Sequence, residues 1–204
     1  MIVKDLGVAE YRPVEEAMRD FTLSRREDTE DELWLVEHHP VFTLGANGNP
    51  AHALNLHAIP LVETDRGGQI TYHGPGQLVA YPLIDLRRQK MGVREMVSRL
   101  EKTVIAILAD EGLEAYARKD APGVYINERK IAALGLRVKR GACYHGVSFN
   151  IDMNLLPFSY INPCGYAGME VIDLATLGIR LTMDEAKQRF VSAFKTQMQS
   201  SNEL

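Results

Sequence analysis

Short β-forming runs crowd two stretches of this chain, residues 33–84 and 124–151, and one long helical stripe lies between them. Strict alternation of strand and helix would build a doubly wound parallel sheet. Clustered strands with grouped helices instead predict an α+β fold, a mixed or antiparallel sheet with helices packed on it. In the first stretch, Leu33-Trp34-Leu35-Val36 and Val41-Phe42-Thr43-Leu44 read as strands separated by a turn at Glu37-His38-His39-Pro40. Further strands are expected at residues 59–62, 70–72 and 78–84. In the second, residues 124–126, 131–138 and 144–151 form a meander joined by the polar turns Asn127-Glu128-Arg129-Lys130 and Lys139-Arg140-Gly141.

Between them Val93, Met96, Val97, Leu100, Val104, Ile107 and Leu108 recur with a period near 3.6, which predicts a helix over residues 92–109 ended by Gly112. Pro13 opens an earlier helix carrying Val14, Ala17, Met18 and Phe21, with Glu15 and Glu16 near its positive end. Thr182 and Glu185 fit a capping box for a last helix through Phe190, Val191 and Phe194. With 204 residues, 46% apolar and 25% charged, and no repeat or linker, residues 1–204 are expected to form a single domain.

The formal charge of −4 gives no overall field for nucleic acid or an anionic membrane. Charge interrupts the N-terminus within its first six residues, and no run of 18 apolar residues occurs, so a cytoplasmic protein is expected. Two cysteines, Cys143 and Cys164, are too few for a disulfide framework. No CxxC, HExxH or HxH is present, so no metal is expected, and neither a P-loop nor a GxGxxG occurs.

Four positions carry candidate chemistry. The run Arg66-Gly67-Gly68-Gln69-Ile70-Thr71-Tyr72-His73-Gly74-Pro75-Gly76-Gln77 combines glycines that allow close backbone approach with Arg66, Thr71 and His73, which could address polar ends of a ligand. The alternative is a tight turn into the next strand. Cys164, between Pro163 and Gly165, sits in a loop setting that suits a nucleophile, although free cysteines are often inert. Cys143 and His145 share a face if the strand alternates regularly. They then form either a dyad or a packed thiol beside a satisfied histidine. Lys130 is either a solvated turn residue or a lysine that snorkels into a site from the head of Ile131-Ala132-Ala133-Leu134-Gly135.

Jointly, the Arg66 to Gln77 run with its continuation Leu78-Val79-Ala80-Tyr81-Pro82, the segment Gly123-Val124-Tyr125 followed by Lys130 to Gly135, the strand Gly146-Val147-Ser148-Phe149-Asn150, and Pro163-Cys164-Gly165 resemble the octanoyltransferase, or lipoyl(octanoyl) transferase, family in order and spacing. The resemblance spans essentially the whole chain. It implies the catalytic fold shared by biotin and lipoate protein ligases. It also implies transfer of an octanoyl group from octanoyl-acyl carrier protein, through an acyl-thioester intermediate on an enzyme cysteine, to a lysine of lipoyl domains. The partners it implies are octanoyl-acyl carrier protein, the lipoyl domains of 2-oxoacid dehydrogenase E2 subunits and the glycine cleavage H protein. By motif, Cys164 is the nucleophile and Lys130 its catalytic partner. The substrate-binding segments carried over are Arg66, Gly67, Gly68, Gln69, Ile70, Thr71, Tyr72 and His73, then Ala133, Leu134 and Gly135, then Gly146, Val147 and Ser148. Thioester-to-amide transfer runs downhill, so no cofactor, ATP or metal is implied. Arg87-Arg88 with Lys90, and Arg137 with Lys139-Arg140, are candidate docking clusters for acidic partners.

Overall fold

The structure, a computed structural model, describes residues 1–163 and 168–199. Its larger sheet has seven strands: β1 (Ile2–Ala9), β2 (Glu32–His38), β6 (Gln77–Asp85), β7 (Tyr116–Ala117), β8 (Gly123–Ile126), β9 (Arg129–Lys139) and β10 (Ala142–Asn150), in the order β1-β2-β6-β10-β9-β8-β7. Only β1 and β2 run parallel. A second sheet holds β3 (Val41–Leu44) between β4 (Leu61–Glu63) and β5 (Ile70–His73). The helices are α1 (Tyr11–Ser24), α2 (Val93–Asp110) and α3 (Met183–Gln199).

The mixed sheet and helix grouping match the expected α+β class, and the layers follow from burial. Met96, Leu100, Val104, Ile107 and Leu108 of α2, with Phe190 and Phe194 of α3, are fully buried against Leu78, Val124, Ile131, Val147 and Phe149 on one face of the large sheet. Each such side chain contributes about 2 kcal/mol of apolar burial. On the opposite face, Val14 and Met18 of α1 pack on Trp34, Val36, Val79 and Tyr144. The capping box of α3 forms in both directions, with the Thr182 amide donating to Glu185 and the Glu185 amide donating to Thr182 Oγ1.

Three expectations change. The strands at residues 33–36 and 41–44 do not pair: β2 lies between β1 and β6, whereas β3 belongs to the small sheet. The chain around Pro40, which can donate no backbone hydrogen bond, carries it from one sheet to the other. β1 appears where no strand was expected. Its exposed Lys4 and Asp5 mask the pattern, while its backbone pairs with β2 along one edge. Finally, the turn before β9 is only Asn127 and Glu128, with φ of 47° and 64°, so Arg129 and Lys130 already belong to the strand. Two left-handed residues are what a tight hairpin requires.

Candidate active site

The glycine-rich loop folds over β9 and β10 and walls a narrow, partly open cleft. Backbone contact fixes the roof, because the Gly67 amide donates to the Leu136 carbonyl at 3.0 Å. A Cβ on Gly135 would lie 2.6 Å from the Gly67 oxygen, so glycine at that point of β9 is what lets the loop approach. Gly68, Gln69, Ile70, Thr71 and His73 line the cleft with Ala133, Leu134, Gly135, Gly146, Val147 and Ser148. Gly67 holds the roof through its backbone without lining the cleft, and Tyr72 points away from the cleft into the small-sheet core beside Phe42 and Phe158.

Arg66 also borders the cleft but does not present a free cation to a ligand. Only 8% exposed, it donates to the Thr43 hydroxyl and carbonyl and to the Gly67 and Gln69 carbonyls. The guanidinium fork therefore fastens the loop from inside.

His73 is buried, with its ring stacked on Tyr11. The Gln77 amide nitrogen donates to Asn150 Oδ1 and to the Tyr72 carbonyl, so its oxygen faces His73 Nδ1 at 2.7 Å and that nitrogen carries the proton. Burial and the neighbouring His38 pull His73 down from 6.5 to about 3, and burial pulls His38 down to about 4. Both are neutral in the folded protein at pH 7. In the unfolded chain they take up protons below about 6.5, so their contribution to stability is complete above that pH and lost as pH falls toward 4 and 3. We expect the pair to lower unfolding free energy by about 2 kcal/mol between pH 6 and pH 5. His73→Gln should reduce that slope in urea titrations at the two pH values. A slope unchanged by His73→Gln would show that the ring titrates normally.

A smaller hollow adjoins the cleft and shares Thr71, Ala133 and Ser148 with it. Lys130, Ala132, Asn150, Phe158, Pro163 and Val171 complete its walls. Lys130 is only 3% exposed, which settles the choice between a solvated and an inward lysine. Its Nζ donates to the Pro122 carbonyl at 3.3 Å and lies 5.1 Å from the centre of the Tyr125 ring. Its backbone holds the chain on the far side, with the Lys130 amide donating to Glu170 and the Ile172 amide donating to Lys130. Cys164 lies outside the described residues, between Pro163 and Gly168.

The Cys143/His145 dyad does not form. Cys143 faces the α2 side, 0% exposed, with its thiol 3.3 Å from the Pro82 carbonyl and pushed up to about 12 by burial. His145 adopts φ 59°, which breaks the alternation of the strand and turns its ring to stack beside Tyr144 on the opposite face. There Nε2 meets Asp65 at 2.9 Å, and hydrogen bonds from His145 and Tyr144 help hold that carboxyl well below its ordinary range against the opposing effect of burial. Glu15, Asp65 and His145 offer ligand atoms within 4.8 Å of one another. Arg12 and Arg19 already meet Glu15, and Arg19 and Lys139 meet Asp65, so the group is an ion-pair network.

Tyr11, Val79, Tyr81 and His145 also line the cleft, and no sequence motif marked them as a set. Of the docking clusters, Arg87, Arg88, Lys90, Arg137 and Arg140 are all exposed, with Arg88 paired to Asp31, Arg87 near Asp85 and Arg140 donating to the Leu23 carbonyl.

Residues 14–195 match the lipoyl protein ligase A/B catalytic domain family. The chain is 56% identical over 197 residues to an octanoyltransferase of Methylococcus capsulatus, spanning 97% of this chain and 95% of that one. It is 54% identical over 198 residues to an octanoyltransferase of Laribacter hongkongensis, spanning 97% and 96%. Among solved structures, a lipoate-protein ligase A bound with ATP superposes with a TM-score of 0.80 at 15% identity, covering 97% of this chain and 85% of that one. The biotin protein ligase of Aquifex aeolicus gives 0.59 at 9%, covering 97% and 68%. At those identities the two structures speak for the fold alone. With near-complete coverage by relatives more than half identical, this chain belongs to the lipoyl protein ligase A/B catalytic domain family and, within it, to the octanoyltransferases.

Proposed function

We propose that this octanoyltransferase takes its acyl group from octanoyl-acyl carrier protein, carries it as a thioester on Cys164, and delivers it to a lysine of lipoyl domains. Those domains belong to 2-oxoacid dehydrogenase E2 subunits and the glycine cleavage H protein. The observation that carries this reading is the buried Lys130 in the hollow that adjoins the cleft under the glycine-rich loop. Pro163 shares its hollow, and residues 170 and 172 are bonded to its backbone, so the chain on both sides of the Cys164 segment runs beside Lys130.

The chemistry then balances in two halves. The Cys164 thiolate attacks the carbonyl carbon, the bond from that carbon to the pantetheine sulfur breaks, and the departing sulfur takes a proton from the Lys130 ammonium. The acceptor amine next attacks the Cys164 thioester and the carbon–sulfur bond breaks. Neutral Lys130 takes the amine proton, restoring the initial thiolate and ammonium. Neither half calls for ATP or a metal. Burial of six or so methylenes along Ala133, Gly135 and Val147 contributes about 5 kcal/mol to holding the chain, and the loop lying over β9 shields that chain from water. Among the described residues no helix is long and apolar enough to cross a membrane, and a cytoplasmic setting suits both protein partners.

Intact mass spectrometry tests the route. With octanoyl-acyl carrier protein and no ATP, wild type and Cys143→Ala should gain one octanoyl mass and Cys164→Ala none. An adduct that persists in Cys164→Ala would overturn the assignment. ATP-dependent pyrophosphate exchange without an adduct would point instead to the adenylating chemistry of a ligase.

A further inference from the structure

Lys130 reaches its position across a single peptide group, the one joining Pro122 to Gly123. The carbonyl of that peptide, on Pro122, accepts the Lys130 Nζ at 3.3 Å. Its N–H, on Gly123, donates to Glu101 Oε1 of α2 at 3.2 Å. Gly123 itself sits at φ 154°, and a Cβ there would lie 2.9 Å from Lys130 Cε and 3.2 Å from Nζ, so the lysine rests directly on this bare stretch of backbone. The Tyr125 ring forms another side of the cradle, and its hydroxyl is anchored on the Ala121 carbonyl at 2.7 Å. A register shift between Val124 and Tyr125 gives β8 the local irregularity that aims this ring, a common use of a bulge beside a site.

We propose that Glu101 is a positioning residue for Lys130, acting through the Pro122–Gly123 peptide. A carboxylate accepting from the N–H of an amide shifts electron density toward the carbonyl oxygen, and that oxygen then holds an ammonium more firmly. Charge-assisted bonds are roughly twice as strong as neutral ones, so the anionic form of the side chain matters as well as its acceptor geometry. Glu101 is half-buried, and burial raises its pKa, opposed by the Gly123 N–H and by the charge of Lys130. Because Glu101 touches the peptide rather than the reacting atoms, it steers the lysine without taking part in bond making. The proposal rests on the transfer reading for its kinetic consequence and on geometry alone for the link to Lys130.

The discriminating variant is Glu101→Gln, whose side-chain oxygen still accepts from Gly123 but carries no charge. In the full chain, with octanoyl-acyl carrier protein and a lipoyl domain as substrates, Glu101→Gln should lower kcat about tenfold with KM for both substrates unchanged. Glu101→Asp should recover part of the rate. Independently of turnover, the side-chain ¹⁵N resonance of Lys130, identified by its disappearance in Lys130→Met, should shift in Glu101→Gln, with faster proton exchange. Wild-type kcat and an unmoved resonance in Glu101→Gln would overturn the proposal, even if Glu101→Ala were slow, because a neutral acceptor would then suffice. Wild-type protein unable to transfer octanoate would instead sink the transfer reading, and the resonance would still decide the Glu101–Lys130 link.

Discussion

Cys164→Ala and Lys130→Met should each lower octanoyl transfer by about 10⁴-fold, and the double variant should be no slower than either single one. Two groups that pass one proton and one acyl bond between them act as a unit, so removing the second costs little once the first is gone. Methionine is chosen at position 130 because its unbranched, apolar chain can occupy a site that leaves lysine only 3% exposed. The Pro122 carbonyl loses its ammonium partner, but neighbouring strand pairing is unaltered, so the protein should unfold near the wild-type urea midpoint. Steady-state transfer to a lipoyl domain measures the loss. Multiplicative losses in the double variant, each single change retaining an undiminished effect in the presence of the other, would mean that the two side chains serve separate steps.

Much of this arrangement is legible in the residues, and the reasons for what is hidden are physical. The α2 stripe, the β8–β9–β10 meander and the α3 capping box are local patterns whose period or pairing is written in adjacent residues, and the structure reproduces them. Glu15 shows the opposite case. The sequence marks it only as an acidic residue near the positive end of a helix, yet it is fully buried, accepting from Thr64 Oγ1 at 2.6 Å and paired with Arg12 and Arg19. Thr64 lies 49 positions away, so no local pattern could reveal the bond. His145 hides for another reason: one positive φ turns its side chain to the other face of the sheet, and a two-residue period cannot anticipate it. Lys130 needs both kinds of information. A two-residue turn sets its strand register, and the burial comes from residues 121–125 and 170–172 folding over it.

Arg66→Met should destabilise the fold by about 3 to 5 kcal/mol and raise KM for the acyl donor in whatever folded fraction remains. The magnitude follows from its partners. The guanidinium is 8% exposed and bonds to Thr43, Gly67 and Gln69, so removing it takes a charged donor from the fully buried Thr43 hydroxyl and carbonyl and from the half-buried Gly67 and Gln69 carbonyls, each loss costing about 1 to 3 kcal/mol unless water or another donor reaches the oxygen. Lysine is no substitute, because a single ammonium cannot span the Thr43 and Gln69 carbonyls as the planar fork does. The kinetic effect follows from the roof: with the guanidinium gone, the loop keeps its bond from Gly67 to Leu136 of β9 and those from Gly45 and Ala46 to residues 69 and 66, but loses the fork that ties it to Thr43. Urea denaturation and donor-dependent kinetics at 25 °C measure the two consequences. If Arg66→Met kept wild-type stability and lost only donor affinity, the arginine would be a direct ligand for the substrate, and its bonds to the loop would be incidental. Loss of stability together with a raised KM identifies a side chain that builds the cleft by holding its roof in place.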